Sequence, residues 1–181
     1  LSNDLLIWGE SDCLIPSKFF EVLEQIKDYS KKNDTNRFVC NFAIRKMWDE
    51  SWSILEHPKF TNSTYYEMDE PKALTEPSSI RYTMSYDEME EVNRSSNSQF
   101  DIRVLNYPKF NGCGLVISSD LVKSGVNIPH GCLMVGEDTG FMESCRLHMK
   151  ENYIQFVVKD LLLVHNRNHP KKRMYVKDEN Q

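Results

Sequence analysis

The sequence lacks the short signatures that name a reaction. It has no G-x-G-x-x-G and no G-x-x-x-x-G-K, so the glycine cradles that hold nucleotide phosphates at the start of a helix are missing, and the Asn111-Gly112-Cys113-Gly114 cluster precedes a strand-like run instead of a helix. The serine-hydrolase elbow G-x-S-x-G and the H-E-x-x-H zinc helix are missing too. Glycine and proline, at 7 each in 181 residues, are too scarce for a collagen or a low-complexity chain, and no repeat of fixed period occurs. No stretch approaches the ~18–20 consecutive apolar residues of a membrane-spanning helix. The longest candidate, Tyr153 to His165, is interrupted by Gln155, Lys159 and Asp160, so no membrane association is expected.

Cysteine is sparse, odd in number and without framework spacing: Cys13, Cys40, Cys113, Cys132 and Cys145. That speaks against a disulfide-stapled secreted domain and for a reducing compartment, nucleus or cytoplasm. The sequons at Asn62 and Asn93 then read as chance triplets.

What is present is a composition 40% apolar and 27% charged, which places residues 1–181 in a single globular domain able to build a core unaided. The chain opens Leu1-Ser2-Asn3 and not with Met, and the expectation is a domain excised from a longer protein. Its net charge of -5 is uneven: residues 1–100 carry 11 Lys and Arg against 18 Asp and Glu, residues 101–181 carry 11 against 9. Acidic stretches such as Glu67 to Glu70 and Asp87 to Glu91 read first as solvated surface.

Periodicity predicts a helix entered at Ile15-Pro16-Ser17, with Ser17 as cap and Phe19, Val22, Leu23 and Ile26 as its buried stripe, ending near Lys31-Lys32-Asn33. Alternation of Phe38, Cys40, Phe42, Ile44 and Trp48 predicts a strand over Arg37 to Trp48. A long loop follows over Thr61 to Ser79, then a strand through Ile80, Tyr82 and Met84. Ser85 and Glu88 form a capping box that starts a short helix, and Arg94 to Ser98 is a loop. Phe100 to Val104 and Leu115 to Ser118 read as strands, and Ser119 to Gly125 as one or two helical turns closed by glycine. Cys132 to Val135, Phe141 to Met149 and Tyr153 to Val164 read as three strands of an antiparallel meander. The expected fold is α+β: a curved antiparallel sheet or small β-barrel, an OB-like barrel among the options, with an N-terminal helix and one or two short helices.

The leading functional expectation is a non-enzymatic interaction domain that docks a protein partner within a larger assembly, in the nucleus or cytoplasm. Tyr65 and Tyr66, an aromatic pair in a polar acidic loop, are its contact residues. The alternative is binding of single-stranded nucleic acid by the tail, with Arg167, Lys171, Lys172 and Arg173 on phosphates and Tyr153 or Phe156 stacking on bases. A cysteine- or zinc-dependent hydrolase is the third reading. Its nucleophile would be Cys132 or Cys113, with His130, His148 or His165 as base. Cys145, His148, His165 and His169 echo zinc-ligand spacing, but in a strand Cys145 and His148 point to opposite faces, so neither a metal nor a cofactor is expected.

Overall fold

The computed structural model describes residues 4–46, 84–94, 98–105, 113–128, 136–149 and 152–165. In chain order its elements are β1 (Leu5–Trp8), β2 (Cys13–Leu14), α1 (Phe19–Lys32), β3 (Phe38–Lys46), α2 (Tyr86–Arg94), β4 (Ile102–Val104), β5 (Leu115–Ser118), α3 (Ser119–Lys123), α4 (Glu137–Met149) and β6 (Ile154–His165).

The strands form one six-stranded sheet in the order β1-β5-β3-β6-β2, with β4 also paired to β6. The pairing is antiparallel except between the two longest strands, where Phe38 lies beside Ile154 and Lys46 beside His165 in parallel register. The fold is therefore α+β as expected, but the sheet is mixed and not closed, so it is neither a purely antiparallel meander nor a barrel.

The parallel pair is buried on both faces, which requires helices on both sides. On one side Phe19, Val22 and Ile26 of α1 pack on Phe38, Cys40, Phe42 and Ile44 of β3 and on Phe156, Val158, Leu161 and Leu163 of β6. On the other, Leu121 of α3 and Phe141, Met142 and Cys145 of α4 cover Val39, Leu115 and Ile117, while Met89 of α2 covers Leu162 and Val164. The period of two in β3 and of 3.6 in α1 delivers the first layer as the sequence predicts.

Between Phe42 and Ala43 the register jumps from Val158 to Leu162, so Lys159, Asp160 and Leu161 form a bulge in β6. Asp101 braces it with both main-chain groups: its N–H donates to Asp160 Oδ1 at 2.9 Å, and its carbonyl accepts from Lys159 N–H at 3.0 Å. On the same edge of β6, between the β4 and β2 pairings, the Asn93 side chain occupies the gap. Its Nδ2 donates to the Leu162 carbonyl at 2.8 Å, and its Oδ1 accepts from the Leu162 N–H at 2.7 Å. A single buried amide thus stands in for a strand residue, and the sequon at Asn93 is closed to glycosylation in the folded chain.

The Ser85–Glu88 capping box forms as predicted, with Ser85 N–H donating to Glu88 Oε2 at 2.8 Å and Glu88 N–H to Ser85 Oγ at 3.2 Å. Ser17 differs. α1 starts after Lys18 without a side-chain cap, because Ser17 spends both its N–H and its hydroxyl on the Glu90 carboxylate at 2.7 and 2.9 Å, tying α1 to α2. Gly125 follows α3 at φ 99°, the left-handed position expected of its glycine stop. Gly114, at φ 70°, is also required sterically, since a Cβ there would lie 2.0 Å from Leu163 Cδ2.

The largest departure is α4. The residues read as the second strand of the meander are a helix, in which Phe141 and Cys145 share a buried face at i and i+4. The strand predicted before it, Cys132 to Val135, lies outside the described residues, as does the Thr61 to Ser79 loop.

Candidate functional site

Tyr65, Tyr66, Arg167, Lys171, Lys172 and Arg173 lie outside the described residues, as do His130, Cys132 and His169. His148 belongs to α4, but its side chain is likewise outside the description. Phe156, proposed for base stacking, is fully buried among Phe38 and Tyr29 and has no face to offer. Tyr153 is half-buried against the α3/α4 layer, and burial pushes its hydroxyl up to about 12. No helix among the described residues is long and apolar enough to cross a membrane.

The cysteines on apolar faces behave as core. Burial raises the thiols of Cys40 and Cys145, the latter to about 12, so neither is a thiolate near neutrality. Cys113 is also buried, and its Sγ donates to Cys13 Sγ at 2.8 Å.

Zinc coordination through Cys145 and His165 fails, though not for the reason the strand reading supplied. Residues 145 and 148 belong to a helix and not a strand, so alternation does not govern them. Cys145, however, is sealed in the α3/α4 layer. His165 follows the alternation of β6 onto the opposite, α1 face, in phase with Leu161 and Leu163.

His165 instead meets two carboxylates that the sequence reading missed. A tight turn, closed by the Cys13 N–H on the Glu10 carbonyl at 3.1 Å, leads into β2, where Cys13 is the ladder partner of His165. The turn thereby brings Glu10 and Asp12 to the end of β6. Glu10 Oε2 lies 2.6 Å and Asp12 Oδ1 2.9 Å from His165 Nε2. The imidazole side chain is 4% exposed, while the carboxylates are 31% and 42% exposed. Two carboxylate oxygens thus converge on one buried ring nitrogen. These residues are the described set able to hold a metal ion. The one local signal was an acidic pair, Glu10 and Asp12, flanking a turn residue just ahead of a short strand.

Two further surfaces were candidates. A cleft of about 560 Å³ opens between the end of α1 and the start of α3, lined by Lys27, Lys31, Asp34 and Asp120 among others. Its charges are of both signs, and Asp120 is already engaged by Asn36 Nδ2 at 2.9 Å and Lys123 Nζ at 3.8 Å, so nothing singles out one ligand. The second surface is β1. It ends the strand order, paired with β5 alone among the described strands, and Leu6 and Ile7 are 46% and 42% exposed on it. Compared with family models, curated proteins and solved structures, the chain matches none.

Proposed function

We propose that this chain is a non-enzymatic interaction domain that docks a protein partner within a larger assembly of the nucleus or cytoplasm. The observation that carries the reading is the β1 edge, where two consecutive apolar side chains are exposed on opposite faces of a strand. β1 has no second neighbour among the described strands, and an edge of that kind can accept a partner's strand: main-chain hydrogen bonds supply affinity and the flanking side chains supply specificity. The sequence adds Tyr65 and Tyr66 in an acidic segment as a second contact, suited to a partner with basic and apolar groups. Burial raises the Cys40 and Cys145 thiols, which suits a structural use of those two cysteines.

The test is affinity capture from cell lysate with the full chain, the Ile7→Lys variant and the Tyr65→Ala, Tyr66→Ala double variant. A lysine at the edge blocks strand addition, so Ile7→Lys should lose a partner that the parent chain retains, with circular dichroism unchanged. Retention of every partner by both variants overturns the reading.

A further inference from the structure

We propose that Glu10, Asp12 and His165 bind one divalent first-row transition-metal ion, with His165 Nε2 and one oxygen of each carboxylate as protein ligands and water on the open side. Three electron-pair donors converge at the end of β6, their ligand atoms all within 4.8 Å of one another. A ring proton points along one direction and serves one oxygen well, whereas a divalent cation among the three serves all of them at once. The nitrogen-to-oxygen separations of 2.6 and 2.9 Å are close to the separation of about 3.0 Å between ligands at right angles on an ion with bonds of about 2.1 Å. Outward movement of the carboxylates by a few tenths of an ångström completes the fit, and their partial exposure permits it.

The cluster is more than a patch of surface acid, because a buried imidazole is aimed into it. Its scaffold is fixed on both sides: His165 is held in the ladder with Cys13, and the turn carrying both carboxylates is closed by its own hydrogen bond. The nitrogen ligand selects transition metals over magnesium and calcium, and right-angled geometry with open water positions suits manganese or ferrous iron. The site lies at the β2 end of the sheet and the docking edge at the β1 end, so either proposal can fail without the other.

Titration of the full chain with Mn²⁺, read by loss of the free-ion electron paramagnetic resonance signal, should show a single ion bound per chain. Zn²⁺ should displace it and a large excess of Mg²⁺ should not. In the NMR spectrum of the parent chain, bound Mn²⁺ should broaden first the amides of Asp12, Cys13, Val164 and His165. The Glu10→Gln, Asp12→Asn double variant, which changes only partly exposed side chains, should lose affinity at least about tenfold. Absence of binding at millimolar Mn²⁺ overturns the proposal. So does broadening confined to other acidic surfaces of the parent chain, or affinity unchanged in the double variant.

Discussion

Replacing Asn93 by alanine removes the buried amide that bridges the gap on the outer edge of β6. The two hydrogen bonds it makes, at 2.8 and 2.7 Å, satisfy both the carbonyl and the N–H of Leu162, a residue with no exposed surface. Each buried backbone group left without a partner costs about 1–3 kcal/mol. Asn93→Ala should therefore destabilise the domain by about 2–6 kcal/mol, a large share of the ~5–15 kcal/mol typical of a domain. Urea unfolding followed by circular dichroism measures the loss, and amide exchange at Leu162 should accelerate with it. Asn93→Asp is the informative control. Ionised, it keeps an acceptor for the Leu162 N–H but faces the Leu162 carbonyl with a second acceptor and a buried charge, so it should be at least as damaging as alanine near neutrality. Protonated, its carboxyl group again offers one donor and one acceptor, so its deficit relative to the parent should shrink as pH falls. A loss below about 0.5 kcal/mol for Asn93→Ala, the range of an ordinary surface change, refutes the bridging role.

Burial raises the Asp160 carboxyl, with the neighbouring Asp101 charge adding to the effect against the hydrogen bonds that oppose it. The charged form then costs stability, a cost relieved as pH falls through the raised value, so Asp160→Asn should stabilise the fold near neutrality and converge with the parent in acid unfolding curves. Glu90 is affected oppositely: desolvation is outweighed by the Ser17 and Tyr86 hydrogen bonds and Lys18, and its carboxyl is lowered. Its contribution is present above the ordinary carboxylate range and lost as pH falls through the lowered value, so the gap between parent and Glu90→Gln should close in acid. Gly114→Ala should cost at least about 1–3 kcal/mol in the same assay, since it combines a left-handed backbone with a clash on Leu163. Cys145 should resist alkylation in the folded chain and react on unfolding, and its thiol, raised from 9.0 to about 12, makes stability fall as pH rises above about 9.

The elements whose residues carry their own instructions were legible. The stripe of α1, the alternation of β3, the Ser85–Glu88 box and the Gly125 stop are all local patterns, and each is present. Phe141 to Met149 was misread because a short apolar run fits either period, and the helical Phe141–Cys145 pairing competes with an equally good alternation. The partner of β6 was not legible, because nothing within Ile154–His165 records that a parallel neighbour lies at Phe38–Lys46. The same separation hid the candidate metal site: Glu10 and Asp12 meet His165 only once β2 is laid beside β6. Ser17 was assigned the right chemistry but the wrong recipient, since a hydroxyl that suits a helix start serves equally well for a carboxylate on a neighbouring helix.

The position of β3 between β5 and β6 has a kinetic consequence. Both of its neighbours come later in the chain, and contacts such as Gln155 to Asn41 close loops of 114 residues. Loop closure on that scale is entropically costly before any contact rewards it, so folding should be slow for the domain's size. During synthesis β3 emerges before either of its neighbouring strands, and its edge toward β6 stays unpaired until Ile154–His165 has left the ribosome. A nascent chain halted at residue 105 should remain unfolded and protease-sensitive, and the complete chain should acquire protection in a single late step.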